Sequence, residues 1–197
     1  MSSQRLRIYL TGVGGQGTLT ATTLLSRTAL DQGLSVTSGE IHGMAQRGGV
    51  VESTVLLGGW ESPTIFQGEA DILLGFEPLE TLRGLPYLRP GGMVFSATEF
   101  VPPPSVSSGR ESLPHIDSIK EAVCAASSQN WFIPIRSIGS EVGSVQSGNS
   151  AMLGALCASK LLPFGLDVLE QGMKKYLPAK IVEVNIAAAR KGAALMA

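Results

Sequence analysis

Two glycine-rich segments near the N-terminus hold the residues best suited to chemistry. The first, Gly12-Val13-Gly14-Gly15-Gln16-Gly17, fits G-x-G-x-x-G, with the apolar run LRIYL before it and helical spacing after it. In such a turn Gly12 takes the tight bend, Gly14 lets a ligand approach the backbone, and Gly17 lets helix and strand pack closely. The following helix start offers free N–H groups and a positive dipole end, which suit a phosphate. Glu40 follows near the end of a second strand, roughly where a ribose-binding acid lies. Three readings stay open on these residues: a phosphate or anion site, an NAD or FAD site, or a strand–helix turn that binds nothing. Gly15 and Gln16 keep the turn free of bulk, which favours close approach by a ligand or another subunit.

The second segment, His42-Gly43-Met44-Ala45-Gln46-Arg47-Gly48-Gly49, puts a histidine, a glutamine and an arginine into what reads as a loop over residues 39–49. Loops at strand C-termini line the ligand crevice of a doubly wound sheet. Arg47 is suited to pair bidentately with a carboxylate or phosphate. His42 is suited to proton exchange near neutral pH. Both are equally suited to satisfy loop carbonyls or a partner's acids. Glu40, His42, Gln46, Arg47 and Gly48 are therefore expected to face a crevice or a partner chain. No Ser-His-Asp or Cys-His order stands out, so no catalytic residue is assigned.

The elements that must position these residues follow from periodicity. Residues 6–10 read as a buried strand, 15–31 as a helix stopped by Gly33, and 34–38 as a second strand. This unit of about 33 residues has the length of a parallel crossover. Further strands are expected at 50–57, 70–76, 93–97 and 131–135. Helices are expected at 77–88, 116–126, 150–162, 166–176 and 180–194. Pro90-Gly91-Gly92 reads as a turn, 100–114 as an irregular arm, and 140–149 as a polar, glycine-rich stretch. Alternating strands and helices predict one α/β domain over 1–197: a doubly wound, mostly parallel, Rossmann-like sheet with helices on both faces.

Composition narrows the function classes. The chain has 197 residues, a net charge of −1 and no Lys/Arg run, which argues against a nucleic-acid partner. No apolar stretch approaches the roughly 20 residues of a membrane span. No signal-peptide pattern opens the chain, so a cytoplasmic location is expected. Charged residues are only 16% of the chain, against about a quarter in ordinary globular proteins. A subunit interface would accommodate that shortfall. Cys124 and Cys157 are the only cysteines, and an iron–sulfur cluster needs about four thiolates. Two separated cysteines and two histidines, His42 and His115, also make a zinc site unexpected.

TGVGGQG, GEIHGMAQRGG and GEADILLGFEPLETLRGLPYLRPGG together resemble the gamma or small-subunit domain of 2-oxoacid:ferredoxin oxidoreductases. HGMAQRGG and EPLETLR are most similar to the indolepyruvate branch. SGNSAMLGAL, which contains Asn149, resembles a later family segment, and KIVEVNIAAARKG resembles the family's closing helix with an asparagine. Arg136, Arg190 and the arm at 100–114 depart from the family pattern, which leaves the 2-oxoacid open. The resemblance implies a non-autonomous subunit that assists thiamine-dependent oxidative decarboxylation to an acyl-CoA. Thiamine diphosphate, Mg and iron–sulfur clusters are then expected on a large thiamine-binding, ferredoxin-like partner, with ferredoxin as electron acceptor. Coenzyme A is expected to pass near this chain, and the isolated subunit to form a homodimer. Gly12, Gly14, Gly15, Gln16 and Gly17 are the expected contacts to cofactor, and Asn149 is expected in the crevice or at the partner.

Overall fold

A computed structural model describes residues 5–15, 17–42, 49–102, 106, 109 and 112–196, with the backbone alone at residues 41 and 42. Six strands form one sheet: β1 (Leu6–Val13), β2 (Val36–His42), β3 (Val50–Leu57), β4 (Ala70–Gly75), β5 (Leu88–Ala97) and β6 (Gln129–Ile133). Their spatial order is β2-β3-β1-β4-β5-β6. β1, β4, β5 and β6 run parallel, while β3 lies antiparallel between β1 and β2. β2 therefore points the same way as β1, and the sheet is mostly parallel as expected, with one reversed strand.

Helices cover both faces. One face carries α1 (Thr18–Asp31), α4 (Ile135–Glu141), α5 (Gly148–Ala158), α6 (Leu166–Tyr176) and α7 (Ala179–Ala194); the other carries α2 (Pro78–Gly84) and α3 (Ile116–Ala126). Alternate strand residues serve the two layers. Ile8, Leu10, Ile72, Leu74 and Phe95 pack under the first set, whereas Tyr9, Leu73 and Val94 pack under the second. This is the strand period of two expressed as two cores. The ADILLG run of β4 is almost continuously apolar because both of its faces are covered.

Several boundaries differ from expectation. β2 runs through Gly39, Glu40 and His42, where the glycine content suggested a loop. Residue-for-residue pairing with β3, from Val36↔Leu57 to His42↔Val51, extends the strand. Gly39 is also needed there, because a Cβ would sit 2.8 Å from the Pro63 Cβ. β5 begins at Leu88 and takes Pro90-Gly91-Gly92 into the strand, with Gly91 at φ +75° and an irregular register against β4. β6 starts two residues early, and α4 occupies 135–141, where strand end and polar loop were expected. Gly139 permits that helix, since a Cβ would stand 2.6 Å from the Val145 carbonyl oxygen.

Candidate functional site

β1 continues through Gly12 to Val13, so the first glycine of the motif is a strand residue paired with Val51. Its role is close packing: a Cβ would meet Thr18 Oγ1 at 2.6 Å and Phe76 Cβ at 3.2 Å. The bend itself is made by Gly15 and Gly17, both at φ +88°. That conformation strains any L side chain and leaves Gly free. The expected roles of Gly12 and Gly17 are thus exchanged. The Gly14 N–H donates to the Gly49 carbonyl at 2.8 Å, which ties the first glycine segment to the end of the second. Gln16, Gln46, Arg47 and Gly48 lie outside the described residues, and of His42 only the backbone is described.

A cleft of about 240 Å³ opens beside this turn. Gly17 and Thr20 of α1 face Ser147, Asn149 and Ser150 at the start of α5, with Asn185 of α7 closing the back. Asn149 is buried, and its Nδ2 would lie 3.4 Å from a Cβ at Gly17. Ser150 Oγ donates to Asn185 Oδ1 at 2.7 Å, and Asn185 Nδ2 donates to the Ile181 carbonyl at 2.7 Å. These bonds fix the orientation of the Asn185 amide.

The electrostatics of the cleft favour anions. α1 and α5 both direct their N-termini here, neither has an acidic residue in its first turn, and neither has a side-chain cap. Two positive helix ends therefore converge on a lining that, among the described residues, carries no charged side chain. Of the residues singled out in the sequence, Gly17 and Asn149 line this cleft, and Gly15 lies in the adjoining turn. Sequence reasoning did not assign Thr20, Ser150 or Asn185, and the asparagine of the closing helix was its only signal toward the last of these.

Glu40 is not part of this cleft. It is exposed on the edge strand β2, level with Ser53 of β3, and β3 separates it from β1. Two strand spacings, roughly 10 Å, thus intervene, and its register partner Ser53 sits opposite Leu10, ahead of the turn. A ribose-binding acid belongs on the strand beside β1, so this topology disfavours the NAD or FAD reading.

At the end of β4 lies a feature the sequence reading passed over. Glu77 caps α2, accepting from the Glu80 N–H at 3.0 Å and the Val101 N–H at 3.3 Å. Burial raises its carboxyl above the ordinary value, against the opposing pull of these backbone donors. Glu80 is 4% exposed. Burial raises it too; Arg83 opposes this, and Glu77 and Glu52 add to it. Oε1 pairs with Arg83 at 2.7 Å, whereas Oε2 has no hydrogen-bond partner. A raised folded-state value means the folded protein holds the proton more tightly than the unfolded chain. Stability is then greatest below the ordinary value of 4.5 and falls as pH rises through the raised value. Glu80→Gln keeps the Arg83 contact and removes the buried charge. Thermal melts should show it about 1 kcal/mol more stable than wild type at pH 7, with the difference vanishing near pH 4. A destabilised Gln variant at pH 7 would contradict the raised value.

Among the described residues, no group of three or more His, Cys, Asp or Glu gathers to hold a metal. Cys124 is exposed on α3 and Cys157 buried in α5, and burial pushes the Cys157 thiol up to about 12. Neither belongs to a cluster-binding set. No described helix is long and apolar enough to cross a membrane.

Comparison with known proteins bears on the whole chain. The family model for pyruvate ferredoxin/flavodoxin oxidoreductase matches residues 7–195. Indolepyruvate oxidoreductase subunit IorB of Archaeoglobus fulgidus is 36% identical over 188 residues, 95% of this chain and 94% of that protein. The IorB of Pyrococcus horikoshii is 37% identical over 183 residues, 92% and 91% of the two chains. The crystal structure of pyruvate oxidoreductase subunit PORC from Thermotoga maritima shares the fold, with TM-score 0.71, 18% identity and coverage of 97% and 96%. So does 2-oxoglutarate:ferredoxin oxidoreductase from Magnetococcus marinus, determined with 2-oxoglutarate, coenzyme A and succinyl-CoA bound. It has TM-score 0.73 and 20% identity, and the match covers 98% of this chain but 31% of that one. On the family match and these near full-length relatives, the chain belongs to the pyruvate ferredoxin/flavodoxin oxidoreductase family.

Proposed function

We propose that the chain is the small, cluster-free subunit of a 2-oxoacid:ferredoxin oxidoreductase of the indolepyruvate type, acting as one domain in the cytoplasm. The observation that carries this reading is the full-length similarity to indolepyruvate oxidoreductase subunits. A large partner subunit holds thiamine diphosphate, Mg and the iron–sulfur clusters and passes electrons to ferredoxin. Two isolated cysteines in this chain accord with that division of labour. This chain contributes the cleft at the α1 and α5 N-termini. The Gly17 backbone N–H and the Asn149 amide hold a phosphate of coenzyme A there, neutral donors meeting an anion at paired helix ends.

Co-expression with the neighbouring large subunit tests the reading. Both chains should co-purify, and 2-oxoacid-dependent reduction of a viologen dye should require both. Full activity of the large subunit alone would refute it. A stand-alone dinucleotide enzyme predicts micromolar NAD or FAD binding by the isolated chain, lost in Gly14→Val. The strand inserted between β1 and β2 argues against that outcome.

A further inference from the structure

On the sheet face away from the anion cleft, α2 packs on β1 and β4, where a Cβ at Gly84 would meet Thr11 and Leu73. Beyond α2 the chain from 58 to 69 lies over β3 and β2. Thr37 Oγ1 donates to the Trp60 carbonyl at 2.5 Å, Thr54 Oγ1 to the Pro63 carbonyl at 2.7 Å, and the Gly68 N–H to the Pro86 carbonyl at 2.9 Å. These bonds pin the segment at three points. Under it lies a second cavity of about 670 Å³, within the usual size of small-molecule sites.

Among the described residues, one part of the lining is flat and apolar: Tyr87, Phe66, Ile65 and Pro63. Tyr87 is stacked on the buried Tyr9, with ring centroids 4.3 Å apart and planes 13° from parallel, which holds its ring in place. Phe66 is 67% exposed, the most exposed large apolar side chain among the described residues. A flat ring laid against Tyr87 and Phe66 covers apolar area on both and gains the attraction between aromatic rings. The other part is rich in hydrogen-bond acceptors. The Thr54 hydroxyl has already given its proton to the Pro63 carbonyl, and Glu40 already interacts with another group. Glu52 of β3 lines the cavity beside Tyr9. A carboxylate paired with one group keeps lone pairs for a second. Glu52 can therefore accept from a neutral O–H or N–H, and that bond calls for no charge on the ligand.

We infer that this cavity binds a small, uncharged aromatic compound carrying one O–H or N–H donor, with its ring against Tyr87 and Phe66 and its donor on Glu52. The site lies on the other sheet face from the anion cleft and does not depend on its assignment.

Three neutral ring compounds of similar size separate flatness from the donor: phenol has both, anisole lacks the donor, and cyclohexanol lacks the flat ring. Titrated into the 15N-labelled full chain, phenol should shift the amides of Thr54, Thr64 and Tyr87 with a Kd on the order of 1 mM, ordinary for so small a ligand. Anisole should bind about tenfold more weakly, for want of a hydrogen bond to a charged acceptor, and cyclohexanol about fivefold, for want of ring contacts. Glu52→Val, with a side chain suited to a strand, should bring phenol down to the affinity of anisole and leave anisole unchanged. Phe66→Ala, at an exposed position that the fold does not need, should weaken phenol about threefold. Saturation transfer to phenol should persist in the assembled complex and fall in its Phe66→Ala form. Equal binding of the three compounds, unchanged phenol affinity in Phe66→Ala, or no shift at about tenfold the expected Kd would each overturn the inference. Loss of phenol binding on assembly would overturn it too, since the partner then fills the cavity.

Discussion

Gly154→Leu is expected to cost at least about 3 kcal/mol of stability, the largest effect of any single change considered. α5 and α7 cross with their backbones in contact. A Cβ at Gly154 would lie 2.0 Å from the Ala189 carbonyl oxygen and 2.6 Å from its carbon. The contact is reciprocal, for a Cβ at Gly192 would lie 1.9 Å from the Ala151 oxygen. The obstacles are backbone atoms, so no rotamer change relieves the clash, and the helices must separate. α5 has nowhere to go, because every residue from Gly148 to Cys157 is buried. Separation would open space in a core close-packed like an organic crystal. Gly154→Ala should cost less, because alanine gains about 1 kcal/mol of helix propensity over glycine. Urea unfolding checks both, with Ala125→Leu on the exposed side of α3 as a control expected within about 0.5 kcal/mol of wild type. A cost below about 1 kcal/mol for Gly154→Leu would mean that the helix contact is not fixed.

The same pair of helices marks the boundary of what local pattern reveals. Residues 50–57, 116–126 and 166–176 have the boundaries expected of them, because β-branched alternation and helical apolar spacing are local properties. The motif context was also legible: strand, glycine turn, helix. What was not legible depended on distant partners. Gly39 signals a loop on its own; it belongs to a strand because β3 pairs with it and Pro63 packs on it. Gly12 fits a bend by motif, yet it is a strand residue because Thr18 and Phe76 need its missing Cβ. The insertion of β3 between β1 and β2 leaves no trace in composition, and it removes Glu40 from the role its sequence position suggested. Asn149 was found through its segment, whereas Asn185 joins the cleft through a hydrogen bond to Ser150, 35 residues earlier.

Asn149→Asp should separate ligand binding from stability more sharply than any other change in the cleft. Asn149 is in the first turn of α5, where a carboxylate interacts favourably with the helix dipole. The variant should therefore fold at least as well as wild type, gaining up to about 1 kcal/mol. Binding moves the other way. A unit charge about 5 Å from a phosphate charge in surroundings of effective dielectric ~20 costs roughly 3 kcal/mol per charge pair. The cleft is partly open, and solvent screens part of this, so about 1.5–3 kcal/mol remains. KM for coenzyme A in the assembled enzyme should thus rise on the order of 10- to 100-fold, with little change in kcat at saturation. Asn149→Ser, which loses contacts but adds no charge, should raise KM only about 3- to 10-fold. Added salt should narrow the gap between Asp and Ser, since screening acts on the charge alone. An Asp variant with wild-type KM would remove the anion from this cleft. An Asp variant that fails to fold would instead show that the Asn149 amide, with Ser150 and Asn185, serves the helix packing.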